Sequence, residues 1–350
     1  MSQEAPASPA SPAAASQSGE TPTVTRSWLP AVSRGGVLQN IVLAGALGVV
    51  ALIFGSLNAN YLSVANLNAI GQGAAVVGVL AAMQTAVIIC GALDISVGSQ
   101  AGLYSVISAM AFSSTHSAAL GVLAAVGVSI AVGALTGAVI VYGRVNSIIA
   151  TLGGLAAYKG VALVISNGRA QGYVLNNHVF VFISRGKPLG IPTMIWIFAI
   201  VALFVFILLN FTDIGRNIYA IGGNDTAARL AGISINKYLI SVYIMSGVVA
   251  SIAGIMLTAY TGSGEPVSGS QGLELQAITA AFLGGCALAG GRGGVGGTVL
   301  AVLLIAALEN GLTVVGVNAF WQNVAQGALL VFAVIIQQQR RHERRVGLPG

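Results

Sequence analysis

Continuous apolar runs, each about twenty residues long, follow one another through nearly the whole of this chain, separated by short polar links. About 20 apolar residues in helical form match the roughly 30 Å hydrocarbon core of a bilayer. Their repetition restricts the fold more than any single motif could. The runs are apolar throughout, whereas barrel strands alternate in character, so a porin-type barrel is disfavoured. A soluble domain is excluded by composition: 56% of residues are hydrophobic and only 7% charged, against about 25% charged in soluble chains. The chain therefore reads as all-α, a polytopic integral membrane helical bundle.

Ten runs can be marked out: Val37–Leu57, Leu67–Ile89, Val97–Phe112, Ala118–Tyr142, Ile148–Ile165, Ile191–Phe211, Tyr238–Tyr260, Leu275–Leu288, Thr298–Val315 and Trp321–Gln337. They predict about ten transmembrane helices, with eight spans plus re-entrant segments as the alternative. Residues 1–36 are expected to be a disordered cytoplasmic tail, because Ala, Ser, Pro and Thr dominate and almost no large apolar residue precedes Val24. This tail is not expected to be a cleaved signal, since the run that follows it is long enough to span. Residues 37–338 form the expected transmembrane domain and 339–350 a basic cytoplasmic tail.

Charge orients the spans. Ten crossings place both termini on one side. With the N-terminus inside, the cytoplasmic segments carry Arg26 and Arg34, then Arg144, then Arg216, Arg229 and Lys237, then Arg292, then the tail arginines. The outer segments Asn58–Asn66, Thr261–Gly272 and Gly316–Phe320 carry no Lys or Arg. Only the long connection Ser166–Gly190, with Arg169, Arg185 and Lys187, departs from the pattern. The formal net charge of +6 is thus a membrane-topology signal and not a nucleic-acid footprint. Cys90 and Cys286 lie in apolar segments and read as small packing residues.

The most polar internal stretch is Asp213–Lys237, DIGRNIYAIGGNDTAARLAGISINK. It contains the signals of a short helix: Asn224 or Asp225 as N-cap, helix formers from Thr226 to Ala231, and Gly232 as the stop. A capped helix between two spans suits contact with a partner on one side of the bilayer; an ordinary polar loop is the alternative.

Several chemistries lack their residues. No GxxxxGK[ST] phosphate loop occurs, so the chain is not expected to hydrolyse ATP by itself. The glycine match at Gly291, Gly293 and Gly296 lies between membrane runs, where tight turning explains it better than a dinucleotide. His116, His178 and His342 are too scattered for a metal site or a Ser-His-Asp triad. No metal and no cofactor are expected. Polar residues within or beside apolar runs are Gln84, Asp94, Ser96, Ser99, Asn146, Glu274, Glu309 and Asn310. A carboxylate at the bilayer centre costs roughly 2.5–3.5 kcal/mol on insertion scales, so such groups turn toward a polar interior. These eight are the candidates for a translocation pathway. Neutral amides and hydroxyls suit a neutral polyol. Helix capping, for Asp94 and Glu274, and interhelical bonding are the alternatives.

Three blocks carry a resemblance: LDISVGSQAGL at 93–103, GRNIYAIGGNDTAARLAGISI at 215–235, and ELQAITAAFLGGCALAGGRGGVGGTVLAVLLIAALENGL at 274–312. Together and in this order they resemble the membrane subunits of bacterial ABC importers for monosaccharides, the ribose/xylose/arabinose permease family. The likeness runs from about Leu38 to Gln337. Ala92 stands where the family pattern has a second glycine. The resemblance implies a permease in the bacterial cytoplasmic (inner) membrane and a second permease subunit, by default a homodimer. It further implies a cytoplasmic ABC ATPase with two fused nucleotide-binding cassettes, and a periplasmic sugar-binding protein. The docking segment it implies is Gly222–Ile233, with Gly222, Gly223, Asn224, Asp225, Arg229, Gly232 and Ile233 as the coupling residues. An ion-coupled secondary transporter of a small polar solute is the alternative, with Asp94 and Glu309 as its only plausible carboxylates. An intramembrane enzyme lacks a paired nucleophile and base.

Overall fold

The computed structural model describes residues 34–335, apart from 268, 269, 319, 323, 325, 330, 333 and 334. Most of both expected tails lies outside these residues, as does part of the tenth expected run, which is helical at its described positions from Phe320 to Ile335. Every other expected run falls wholly or in part on a helix. The long helices are α1 (Arg34–Leu57), α2 (Val64–Ile89), α3 (Val97–Thr115), α4 (Ala118–Tyr142) and α5 (Ser147–Ser166). After a short α6 (His178–Arg185) and a 3-10 turn come α7 (Thr193–Phe211), α8 (Asp213–Gly223), α9 (Asp225–Leu230), α10 (Ile235–Thr261), α11 (Leu273–Leu283) and α12 (Val295–Val314). Among the described residues, 7 helices are long and apolar enough to cross a membrane: α1, α2, α4, α5, α7, α10 and α12.

Burial orders them. The most apolar window of α2 is 83% buried, whereas that of α1 is 11% buried, so α2 is central and α1 peripheral. The small residues Ser129, Gly133 and Gly137 of α4 meet α10 closely, near Tyr243, Ile240 and Gly247. Without water to compete, such small-residue faces are what lets membrane helices pack. α3 is more polar than the seven and is buried along most of its length, including Ser99, Gln100, Ser105 and Ser108. Protein on all sides makes a polar helix tolerable there.

The connections gather in two groups. In one, the backbone of Gln171 bonds Gly264 in both directions and Val174 donates to the Gly262 carbonyl at 3.0 Å, tying the α5–α7 connection to the end of α10. In the other, Gly291 donates to the Ile89 carbonyl at 2.8 Å, and Leu93 donates to Ser147 Oγ at 3.3 Å. Alternate crossings bring these loops together. The connection Ser166–Gly190 therefore shares a side with the Thr261–Gly272 segment, as the crossing order requires and although its Arg169, Arg185 and Lys187 depart from the charge pattern.

Three expectations need correcting. The expected span Leu275–Leu288 is only the 11-residue α11, about 16 Å long at 1.5 Å per residue and too short to cross. Gly284 ends it, and Gly285 follows at φ +101°. The expected outer loop Thr261–Gly272 instead runs down into the bundle along α3. A Cβ at Gly102 would lie 2.9 Å from the Pro266 carbonyl oxygen, and one at Gly98 would lie 2.9 Å from that of Ser270. Glycines on one face of α3 leave room for irregular backbone. Such backbone is tolerated inside a membrane protein only where protein encloses it. The eighth span is thus a broken one, irregular chain followed by a short helix. The polar stretch also holds two helices, α8 and α9, where one was expected.

Candidate functional site

Phe211 ends the apolar run of α7, and Thr212 turns the chain: its hydroxyl accepts from Gly215 N at 3.2 Å and caps α8. α8 buries Gly215, Ile218 and Ile221, a helical spacing, and exposes Asp213 and Arg216, which pair with each other. Tyr219 reaches the Gly293 carbonyl oxygen, to which its hydroxyl donates at 2.9 Å. Burial, with Cys286 nearby, pushes this phenol up to about 12, so it keeps the proton it donates.

Asn224 separates α8 from α9 and caps the latter, its side chain accepting from Ala227 N at 2.9 Å. The other end of α9 closes as a Schellman motif: Ile233 N donates to the Ala228 carbonyl and Gly232 N to that of Arg229, both at 3.0 Å, with Gly232 at φ +82°. Both ends are satisfied locally, so a six-residue helix persists with little packing beneath it. Ala228 is its buried residue; Asp225, Thr226, Ala227, Arg229 and Leu230 are exposed, and Leu230 is 86% exposed. Of the expected coupling residues, Gly223, Asn224, Asp225, Arg229 and Gly232 are exposed. Ile233 packs partly on the core. Gly222 faces inward: a Cβ there would overlap the Ile89 carbonyl oxygen and come within 2.6 Å of Gly291 N.

The expected pathway residues fall in separate places. Asp94 is fully buried in the break between α2 and α3. Its Oδ1 accepts from Ser96 N at 3.0 Å and Ser96 Oγ at 2.6 Å, and its Oδ2 from Ser246 Oγ of α10 at 2.9 Å. Gln100 Nε2 donates to Ser96 Oγ at 2.7 Å, and the Tyr104 hydroxyl donates to Gln100 Oε1 at 3.1 Å. Ser99 Oγ donates to the Ser96 carbonyl at 2.9 Å. This network fixes the broken backbone to α10. Asn146 lies apart and exposed, capping α5 with its side chain accepting from Ile148 N at 2.9 Å. Glu274 abuts Gly98 on α3.

Toward the other end of the bundle, Asn310 of α12 and Asn66 of α2 exchange amide hydrogen bonds at 2.9 and 3.1 Å. Glu309 accepts from Gln326 and, at 3.5 Å, from Gln276. Gln84, buried in mid-α2, has neither amide atom bonded to the described chain. Sequence reasoning missed Leu230, Tyr219 and Lys159. Lys159 is the one charged residue inside α5 and acts electrostatically on Glu274; a lone cation in an apolar run was the signal for it. Among the described residues, no three His, Cys, Asp or Glu side chains group to hold a metal.

Long apolar helices, a buried polar node and a broken span define a polytopic α-helical membrane protein of the permease kind. The family described as "Branched-chain amino acid transport system / permease component" matches residues 73–334, and the chain belongs to this family. It is similar to the ribose import permease protein RbsC of Escherichia coli (strain K12), 38% identical over 298 residues that cover 85% of this chain and 92% of the relative. It is also similar to the L-arabinose ABC transporter permease protein AraH of Azospirillum brasilense, 33% identical over 329 residues, covering 93% and 96%. The RbsC protein of Bacillus subtilis (strain 168) is 32% identical over 305 residues, covering 87% and 94%. No solved structure matches the chain.

Proposed function

We propose that this chain is the transmembrane permease subunit of an ATP-driven ABC importer for a monosaccharide, ribose or another pentose or hexose. Relatives named for ribose import and for L-arabinose ABC transport, matched over nearly their whole length, support the substrate class. The observation that carries the coupling role is α9. A helix capped at both ends, charged, and exposed along most of its surface is a shape made to be gripped. In this reading α8 and α9 lie on the cytoplasmic side, which the charges of Arg216, Arg229 and Lys237 favour. Both termini then lie in the cytoplasm, residues 1–36 and 339–350 are tails, and residues 37–338 are the permease domain in the inner membrane.

The partners are a second copy of the chain, a cytoplasmic ATPase with two fused cassettes, and a periplasmic sugar-binding protein. ATP closes the ATPase, draws the two α9 helices together and opens the pathway outward. Hydrolysis resets it. The ATPase must contact α9 differently in its two states, since a ligand shifts an equilibrium only by its differential affinity. Asp225, Arg229 and Leu230 supply that contact. Asp94, Ser96 and Ser99 brace the pathway wall, while Gln84, Glu274, Glu309 and Asn310 are the polar groups nearest a passing sugar.

The test is uptake of labelled monosaccharides into vesicles carrying the complete system. Uptake that needs ATP and survives collapse of the proton gradient is the expected result. Uptake that follows the proton gradient without ATP refutes the proposal and leaves Asp94 and Glu309 as coupling carboxylates.

A further inference from the structure

α2 ends in a Schellman turn: Gly91 sits at φ +87°, and Ala92 N donates to the Val87 carbonyl at 3.1 Å. Such a turn leaves the last carbonyls, that of Ile89 among them, without a partner in their own helix. Gly291, in the link before α12, supplies the missing donor at 2.8 Å. Gly222, near the end of α8, lies directly over the same carbonyl, too close to admit a Cβ. The contact is reciprocal: a Cβ at Gly290 would lie 2.8 Å from Gly91 Cα and 2.9 Å from the Gly222 carbonyl oxygen, and one at Gly291 would lie 2.6 Å from Gly223 Cα. Three backbones thus meet with no side chain between them. Tyr219, one turn earlier on α8, fastens to the link at Gly293.

Each of these backbones leads to a discontinuity in the membrane domain. Beyond Gly91 the chain reaches Asp94, fixed to Ser246 of α10. On either side of Gly290–Gly293 lie the broken eighth span and the start of α12. α9 follows α8 after the single residue Asn224. Side chains absorb displacement by changing rotamer; backbone in van der Waals contact does not, because packed interiors are stiff.

We infer that the Ile89–Gly222–Gly291 junction is the joint that carries displacement of α8 and α9 into the two broken membrane segments, with Gly222 and Tyr219 as its positioning residues. The role rests on the importer reading and goes beyond it. The importer reading concerns what α9 binds; the junction concerns where the movement goes. Gly222, unlike Asp225 and Arg229, acts inward and touches no partner.

The test uses the full complex, chain with ATPase and binding protein, purified and reconstituted in proteoliposomes, and reads sugar imported per ATP hydrolysed. Gly222→Ala puts a methyl group into the joint. Tyr219→Phe removes only the hydrogen bond to Gly293, and decides the matter should Gly222→Ala fail to assemble. Gly127→Ala, where a Cβ meets nothing within 4 Å, controls for the substitution itself. The expected result is a ratio lowered about tenfold or more for Gly222→Ala and about threefold for Tyr219→Phe, with the ATPase co-purifying at native stoichiometry and Gly127→Ala unchanged. A native ratio in an assembled Tyr219→Phe or Gly222→Ala complex overturns the joint and leaves the importer standing. Failure of the native chain to bind any ATPase is a separate result, one that overturns the importer and the joint with it.

Discussion

Asp94 offers the sharpest quantitative test of how the broken backbone is held. Three of its hydrogen bonds are 3.0 Å or shorter, from Ser96 N, Ser96 Oγ and Ser246 Oγ, and Gln100 Nε2 stands at 3.5 Å from Oδ2. Hydrogen bonds between side chains inside membrane proteins average about 0.6 kcal/mol, with a maximum near 1.7. The two from Ser96 Oγ and Ser246 Oγ amount to about 1–3 kcal/mol. Asp94→Ala also leaves the Ser96 N–H buried without its acceptor, at roughly 1–3 kcal/mol. The expected destabilisation is therefore about 4 kcal/mol. Asp94→Asn keeps the Oδ1 acceptor, and the Ser246 hydroxyl can reverse to accept from the new amide. Only the long Gln100 contact turns repulsive, for about 1 kcal/mol. Ser246→Ala removes one bond and belongs near the Asn value. The assay is reversible unfolding of the purified protein in mixed detergent and SDS micelles, compared across the three variants. Equal costs for Asp94→Ala and Asp94→Asn, or an Ala cost below about 1 kcal/mol, would refute the reasoning.

Other consequences are simpler to check. Asn224→Ala removes the cap of α9 at a cost of about 1 kcal/mol, so amide exchange at residues 226–231 is expected to accelerate about fivefold while α10 is unaffected. Arg229→Leu and Leu230→Asp, both at exposed positions, are expected to cut ATP-driven uptake more than tenfold without loss of membrane insertion; uptake at native levels contradicts the docking role. Burial pushes the Cys90 thiol up to about 12 and the Cys286 thiol to about 11. Only the thiolate reacts, and raised values keep both thiols protonated. Maleimide is expected to leave both untouched until the protein is denatured or the pH nears those values, and rapid labelling at pH 8 refutes their burial.

The long helices were legible because the bilayer dictates them. A span must be apolar over a fixed length, and Val37–Leu57 or Thr193–Phe211 cannot hide that. The broken eighth span was not legible, since Leu275–Leu288 has the composition of a complete span and only the glycines at 284 and 285 hint at the stop. The descent of the segment after α10 along α3 depends on Gly98 and Gly102 facing it, a tertiary fact invisible in either stretch alone. The caps of α9 could be read locally, because Asn224 and Gly232 act on their own neighbours. α8 was missed although Gly215, Ile218 and Ile221 carry its period. Its glycines at 215, 222 and 223 depress helix propensity, and the packing that overrides them comes from α2 and the link before α12. The Asp94 network was half visible: the DISVGS block signalled a turn, but its partner Ser246 lies 152 positions away.

The central claim, that α9 faces the cytoplasm as a handle for an ATPase, is tested most directly by side-specific labelling. Leu230→Cys introduces an accessible thiol at an 86% exposed position, while the two native cysteines are buried. A membrane-impermeant maleimide is expected to label residue 230 in inverted vesicles and not in right-side-out ones, and a bound ATPase is expected to block that labelling. Labelling from the periplasmic side, or labelling that the ATPase leaves unchanged, contradicts the claim.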